Sequence, residues 1–337
     1  MSRGGIGRYG SPRGALAGLG REATRSFRLS FLVMSDVAAA GSGPRPTRTP
    51  GALRLGGGEF PPERTLVMAI VNRTPDSFYR PGLTWDSDVA FERVHAIVAE
   101  GADLLDVGGV PAKPGPEVTV AEEIRRVVPF IERVRAAYPD LVISVDTWRH
   151  EPARAACEAG ADLLNDTWSA WDPKVADVAA EFGVGLVCSH AGAALPRTRP
   201  HRAAFDDVAA DVLDRVLVLA ERALQAGVDA DRIVIDPAHD FGKNSWHSLE
   251  VTRRLGDLTA TGWPVLMSAS RKDFVGETLG VGVDDRLAGT LATTAVGAWL
   301  GARIFRAHDV RQTRQALDMV ESIKGSRPPS RAIRGLA

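Results

Sequence analysis

Cysteine is nearly missing from this chain: 337 residues carry only Cys157 and Cys188. One possible pair cannot staple a small secreted scaffold, and such sparing use fits a reducing cytoplasm. An excess of either charge is missing too. The formal net charge is -1, so no global field draws the chain to nucleic acid or to a membrane surface. Nor does any apolar run approach the roughly 20 residues that a membrane-crossing helix needs. What remains is a globular composition, 45% hydrophobic and 25% charged, long enough for a single large domain.

Acidic residues are also scarce at the N-terminus, which is rich in Gly, Arg, Pro, Ser and Ala. Arg25 and Arg28 precede a short apolar patch, Leu29 to Met34, and Ala38-Ala39-Ala40 follows. This faintly resembles a secretion signal, but the patch is too short and Ser30 and Asp36 interrupt it. Residues 1–59 are expected to form a disordered extension, or the gene start is over-extended and Met34 is the true initiator. Residues 60–325 are expected to be the folded domain, and residues 326–337 a loose basic tail.

Within the domain, eight apolar runs recur: 66–72, 103–109, 141–147, 162–168, 184–190, 233–239, 264–270 and 302–308. Each has a strand's length and is rich in Val, Ile and Leu, as strands buried on both faces require. Helical patterns separate them, at 87–100, 119–138, 151–159, 174–182, 204–226, 247–256, 284–300 and 309–323. Thr119-Val120-Ala121-Glu122 reads as a capping box, and Pro129 predicts a kink or break in the helix that follows. GADLLD at 101–106 and GADLLN at 160–165 form a weak internal repeat. Eight strand–helix units predict an α/β fold, a single (β/α)8 TIM barrel, whose active site lies where the strands end.

The runs end in polar side chains: Asn72, Asp106, Asp146, Asn165, His190, Asp236 and His308. Crowded on one rim, they point to an enzyme. The segments Met68 to Phe78, Ser144 to Thr147, Asn165-Asp166, Asp236-Pro237 with Phe241-Gly242-Lys243, Ser270-Arg271-Lys272 and Arg306 to Asp309 carry the chemistry. Taken in this order, they resemble dihydropteroate synthase over nearly all of residues 65–325. Val71-Asn72-Arg73, Asp106 to Val110 and Ala194 to Pro200 look most like the second, divergent copy found in actinobacteria.

That resemblance implies a transferase of folate biosynthesis. It would join 6-hydroxymethyl-7,8-dihydropterin pyrophosphate to p-aminobenzoate and release pyrophosphate. Asp146, Asn165 and Asp236 then match the pterin-binding residues, and Lys272 the lysine on the ring's acceptor side. Arg306 and His308 match the last-strand pair that covers the pterin and reaches phosphate; with Lys272 they form the implied catalytic set. Asn72 matches the residue associated with Mg²⁺, and Ser270 the serine near the benzoate carboxylate, at what should be a helix N-terminus. Asp106, Phe241 and Lys113 complete the implied substrate-binding set. A cytoplasmic homodimer built on the later helices is also implied.

The chain departs from the family pattern in its loops. Gly108-Gly109-Val110-Pro111-Ala112-Lys113-Pro114-Gly115 stands where the family has Gly-Gly-Glu-Ser-Thr-Arg-Pro-Gly, and lysine lacks the two-pronged grip of arginine. Tyr79-Arg80-Pro81-Gly82 and His190-Ala191-Gly192-Ala193 are altered too. Arg73, Arg80, Lys113, Arg197 and Arg199 add charge near the expected mouth, to bind an anion or simply to be solvated. Three functions stay open: an active synthase, a pterin-binding paralogue inactive in that reaction, and a barrel metallohydrolase using His190, His239 and His308.

Overall fold

The computed structural model describes residues 48–74, 87–192, 194–198 and 204–334. Expectations for residues 1–47, for Arg80 and its loop, and for Arg199 lie outside the described residues.

Order begins before residue 60. Leu53–Leu55 (β1) and Gly58–Phe60 (β2) pair as an antiparallel hairpin across Gly56-Gly57. Such a two-residue turn needs positive φ, which Gly56 supplies at +55°. The sequence reading placed this segment in the N-terminal extension because three-residue strands are too short to show a period.

Eight parallel strands follow: Leu66–Asn72 (β3), Leu104–Gly108 (β4), Val142–Asp146 (β5), Leu163–Asp166 (β6), Gly185–Ser189 (β7), Ile233–Asp236 (β8), Leu266–Met267 (β9) and Ile304–Ala307 (β10). They are hydrogen-bonded in the order β8-β7-β6-β5-β4-β3-β10-β9. A parallel bridge between Ile235 and Val265 joins the two ends of that row. This is the expected (β/α)8 barrel, with all eight apolar runs as its staves.

The outer ring comprises Ser87–Ala99 (α1), Val120–Ala137 (α2), His150–Glu158 (α3), Lys174–Phe182 (α4), Val208–Ala226 (α5), Ser245–Arg253 (α6), Leu255–Thr259 (α7), Asp273–Leu279 (α8), Leu287–Trp299 (α9) and Val310–Lys324 (α10). The short α8 was not foreseen; seven residues offer too few turns for periodicity. Pro129 does not break α2, which runs through it and buries Val127, Phe130, Ile131 and Val134. That burial offsets the lost backbone bond. Half of the expected capping box forms: the Thr119 hydroxyl accepts from Glu122 N, while the Glu122 carboxylate takes Arg125 and Arg126 instead.

Two apolar layers result. The larger lies between staves and helices. The smaller fills the barrel's lower interior, where Leu66, Met68, Leu104, Val142, Leu163, Val187, Val234, Leu266 and Ile304 meet Leu53, Leu55 and Phe60 of the hairpin. The hairpin therefore plugs the barrel's N-terminal end. Its fit is close: a Cβ at Gly185 would sit 2.5 Å from Leu55 Cδ2. Leu55→Ala should cost about 2–5 kcal/mol, the usual loss for emptying such a site. Urea unfolding measures this, and a loss under about 0.5 kcal/mol, the scale of an ordinary surface substitution, would show that the hairpin is not part of the core.

Candidate functional site

Strand alternation sets which side chains enter the barrel. Leu104, Val142, Leu163, Val187 and Val234 lie in the lower interior. Two residues further along each strand must point inward as well. Those residues are Asp106, Ser144, Asn165, Ser189 and Asp236, and one more step on β5 gives Asp146. The same step from Ile304 gives Arg306 and then His308; from Leu266 it gives Ser268 and Ser270; from Met68 it leads to Asn72. The barrel is thus apolar at its base and polar at its mouth.

Asp106 is the hub of the polar level. Fully buried, it accepts from Ser144 Oγ at 2.6 Å, Arg306 Nε at 2.6 Å and Asn165 Nδ2 at 3.3 Å. Arg306 reaches onward through Nη2 to Asp146 at 2.9 Å, and Thr167 Oγ1 donates to Asp146 at 3.2 Å. One guanidinium therefore spans two carboxylates, as its fixed fork allows. Burial pushes the Asp146 carboxyl up to about 6, against the pull of Arg306.

On the opposite wall Asp236 accepts from Ala238 N at 2.7 Å. Burial raises its carboxyl, and the nearby Lys272 ammonium opposes that shift. Lys272 Nζ donates to His239 O at 2.5 Å and lies 4.9 Å from the centre of the Phe241 ring. Burial lowers the Lys272 ammonium. Phe241 meets Trp168 edge-on at 5.0 Å, and Trp168 meets Trp148 at 6.3 Å. With Val110, Ala191 and Ala194 these rings form an apolar shelf at the strand ends.

Ser270 does not cap a helix. α8 starts at Asp273 with Lys272 as its N-cap, and its amide at Phe274 is taken by the Asp240 carboxylate. Ser270 Oγ instead accepts from His308 N and lies 3.1 Å from His308 Nδ1. Burial holds the His308 imidazole down at about 3. It is therefore neutral, and the Ser270 hydroxyl can donate to Nδ1 and leave the ring proton on Nε2. Arg271 binds Asp309 through Nε at 2.7 Å and Nη2 at 3.0 Å, which locks the ends of β9 and β10 together.

Two loops are clipped to each other. Arg197, at φ +59°, donates through Nε to Pro111 O at 3.0 Å and Lys113 O at 3.3 Å, and through Nη1 to Pro116 O at 2.6 Å. Its guanidinium is spent on main-chain carbonyls, not on an anion in the mouth. Arg73 is also elsewhere: it is buried, 4.9 Å from the Phe130 ring centre, and donates to Ser87 Oγ. An arginine so placed packs by its planar face. Lys113 is half-buried within the clipped loop.

The histidine arrangement rules out the metallohydrolase. His190 faces outward and bonds Asp211 at 2.8 Å, and His239 bonds Thr252 Oγ1 at 3.0 Å. The strand-end alternation that turns His308 inward turns His190 away from it. Among the described residues, the one group spaced to hold a metal is His150, Glu151 and Asp172, at the start of α3 and between β6 and α4, and it includes none of these three histidines.

This floor of carboxylates and amides, with lysine and arginine above it, suits a flat nitrogen heterocycle. The model of the pterin binding enzyme family matches residues 68–308. The chain belongs to that family. It is of the dihydropteroate synthase type. A Mycobacterium leprae protein named inactive dihydropteroate synthase 2 is 59% identical over 279 residues, covering 82% of this chain and 96% of that one. The Bacillus subtilis dihydropteroate synthase is 38% identical over 263 residues, covering 77% and 89%. A solved structure of the Xanthomonas albilineans dihydropteroate synthase with 4-aminobenzoic acid superposes with a TM-score of 0.74 at 37% identity, covering 82% of this chain and 99% of that one.

Of the residues that the resemblance implies, Asp106, Asp146, Asn165 and Arg306 form one hydrogen-bonded set, Ser270 and His308 a second, and Lys272 lies over the Phe241 ring. Sequence reasoning missed Thr167, Ser189 and Trp168 as members of the mouth. Period-two counting from the apolar base would have found Ser189. No local pattern announces the Arg197 clip, since its partners are carbonyls more than 80 residues away.

Proposed function

We propose that this chain binds a pterin and no longer condenses it with p-aminobenzoate. One observation carries the reading. The inward polar residues that the family resemblance implies are present, whereas the loop after β4 carries Val110, Pro111 and Ala112 and is tied by Arg197 to the loop after β7. A pterin needs acceptors for its N–H edge, and Asp146, Asn165 and Asp236 supply them. It needs donors for its ring acceptors, and Lys272 supplies one. Charge-assisted bonds of this kind contribute about 1.5–3 kcal/mol each. The second half of the reaction needs contacts that tighten only in the transition state. Losing two or three of about 2–4 kcal/mol each nearly extinguishes turnover.

The retained trio Lys272, Arg306 and His308 favours a second reading, an active synthase. There the aniline nitrogen would attack the pterin methylene carbon. The carbon–oxygen bond would break, pyrophosphate would leave with the electron pair, and the nitrogen would lose a proton. Arg306 would stack over the ring and reach the departing phosphate. His308, neutral with its proton on Nε2, would donate to a phosphate oxygen.

Magnesium fits the mouth in a limited way. A Cβ at Gly108 would lie 3.0 Å from Asn72 Oδ1, so the glycine leaves room around that amide oxygen. A hard cation that keeps most of its waters needs few protein ligands. Asn72 would hold Mg²⁺, which would supply charge neutralisation for a pyrophosphate.

Both cysteines are buried and free, which is compatible with the cytoplasm. No helix of the described residues is long and apolar enough to cross a membrane. A homodimer is supported by the outer face of α9 and α10, where Val296, Trp299, Met319 and Ile323 are 47–61% exposed. Sedimentation should give twice the chain mass, falling to one chain in Trp299→Lys; a wild-type monomer at micromolar concentration would remove this part of the proposal.

The decisive assay titrates 6-hydroxymethyl-7,8-dihydropterin pyrophosphate with Mg²⁺ by calorimetry, then adds p-aminobenzoate and follows pyrophosphate release. Binding without release is expected. Release that depends on p-aminobenzoate would establish the second reading, and no heat with the pterin would end both. Binding should also strengthen as pH rises through about 6, because Asp146 sheds its proton there and becomes a better acceptor. Weakening over that range would show that Asp146 is not the acceptor.

A further inference from the structure

Ser189 ends β7 with its side chain turned into the barrel, two residues above Val187 of the apolar base. It is 1% exposed, yet its hydroxyl has no protein partner. Its main-chain oxygen is accounted for, since Ser169 Oγ donates to it at 2.9 Å. Three other polar groups on the same level are bonded to protein: Asp106 to three residues, Ser144 to Asp106, and Asp236 to Ala238 N.

A second buried atom shares the condition of Ser189. Asn165 Oδ1, on the neighbouring strand, is likewise without a partner. Its orientation is fixed, because the amide nitrogen donates to both oxygens of Asp106, and a carboxylate can only accept. The oxygen must therefore face the other way. On the far side, Ser189 pairs in register with Asp236. Three adjacent strands, β6, β7 and β8, thus present an amide oxygen, a hydroxyl and a carboxylate along one wall. Buried polar groups are rarely left unpaired unless something else binds there.

We propose that Ser189 is a binding and specificity residue for the donor-rich edge of the heterocycle, accepting from its exocyclic amino group between Asn165 Oδ1 and Asp236. The inference rests on the pterin reading above and adds a residue to it. Three acceptors in a row match three donors: the two hydrogens of a 2-amino group and the adjacent ring N–H. The wall therefore selects 2-amino-4-oxo rings over rings that carry hydrogen at that carbon.

The test compares 6-hydroxymethylpterin with 4-hydroxypteridine, which lacks the amino group, on the full chain and on Ser189→Ala. The variant removes one atom and creates no clash, and a thermal melt confirms its fold. Expected is a loss of about threefold to tenfold in pterin affinity, the value of one neutral hydrogen bond, with little change for 4-hydroxypteridine. Unchanged pterin affinity in the variant, or an equal loss for both ligands, would overturn the role of Ser189 while leaving pterin binding intact. Wild-type protein that binds neither ligand would overturn the pterin reading itself, and this inference with it.

Discussion

The mouth of this barrel depends on one guanidinium held between two carboxylates. Arg306 meets Asp106 at 2.6 Å and Asp146 at 2.9 Å. Without it, two carboxylates on neighbouring strands would repel each other in a dry interior. With it, each gains a charged donor. Asp106 then orients Asn165 and Ser144, and Asp146 gains Thr167. A network of charge-assisted bonds such as this is rigid, and rigidity is what a small flat ligand needs from its pocket.

The network stands on an apolar base. The hairpin side chains Leu53, Leu55 and Phe60 fill the barrel's lower end, so the polar level cannot sink or flood from below. Above it, the clipped loops and the shelf of Trp148, Trp168 and Phe241 remove part of the mouth from water. Weaker screening there strengthens each charged contact. The same clip ties the loop after β7 to the loop after β4. The proposed combination, pterin binding without condensation, would follow from one architecture, and relatives named as a synthase and as an inactive synthase are consistent with it.

Much of this was legible in the sequence because it is periodic. Strand-length apolar runs separated by amphipathic helices specify the barrel, and their polar terminators specify the rim. Asp106, Asp146, Asn165 and Arg306 stand out because a charge or an amide inside an apolar strand has few explanations. The hairpin was hidden because it has too few residues to carry a period. Arg73 and Arg197 were misplaced for a different reason. A loop arginine looks the same in sequence whether it faces an anion, a phenyl ring or a carbonyl, and only packing decides. His190 and His239 were separated from His308 by strand parity, which a one-residue count can resolve once the base of the barrel is known.

The most direct measurement is a double-mutant cycle in urea between Arg306→Met and Asp106→Asn, with Asp146 left in place. If the guanidinium organises the mouth, the two changes should be coupled by about 2 kcal/mol or more, the double variant losing that much less stability than the sum of the two single losses. Coupling below about 0.5 kcal/mol, the level of independent sites, would mean that the bridge is incidental and that the site is held together by something else.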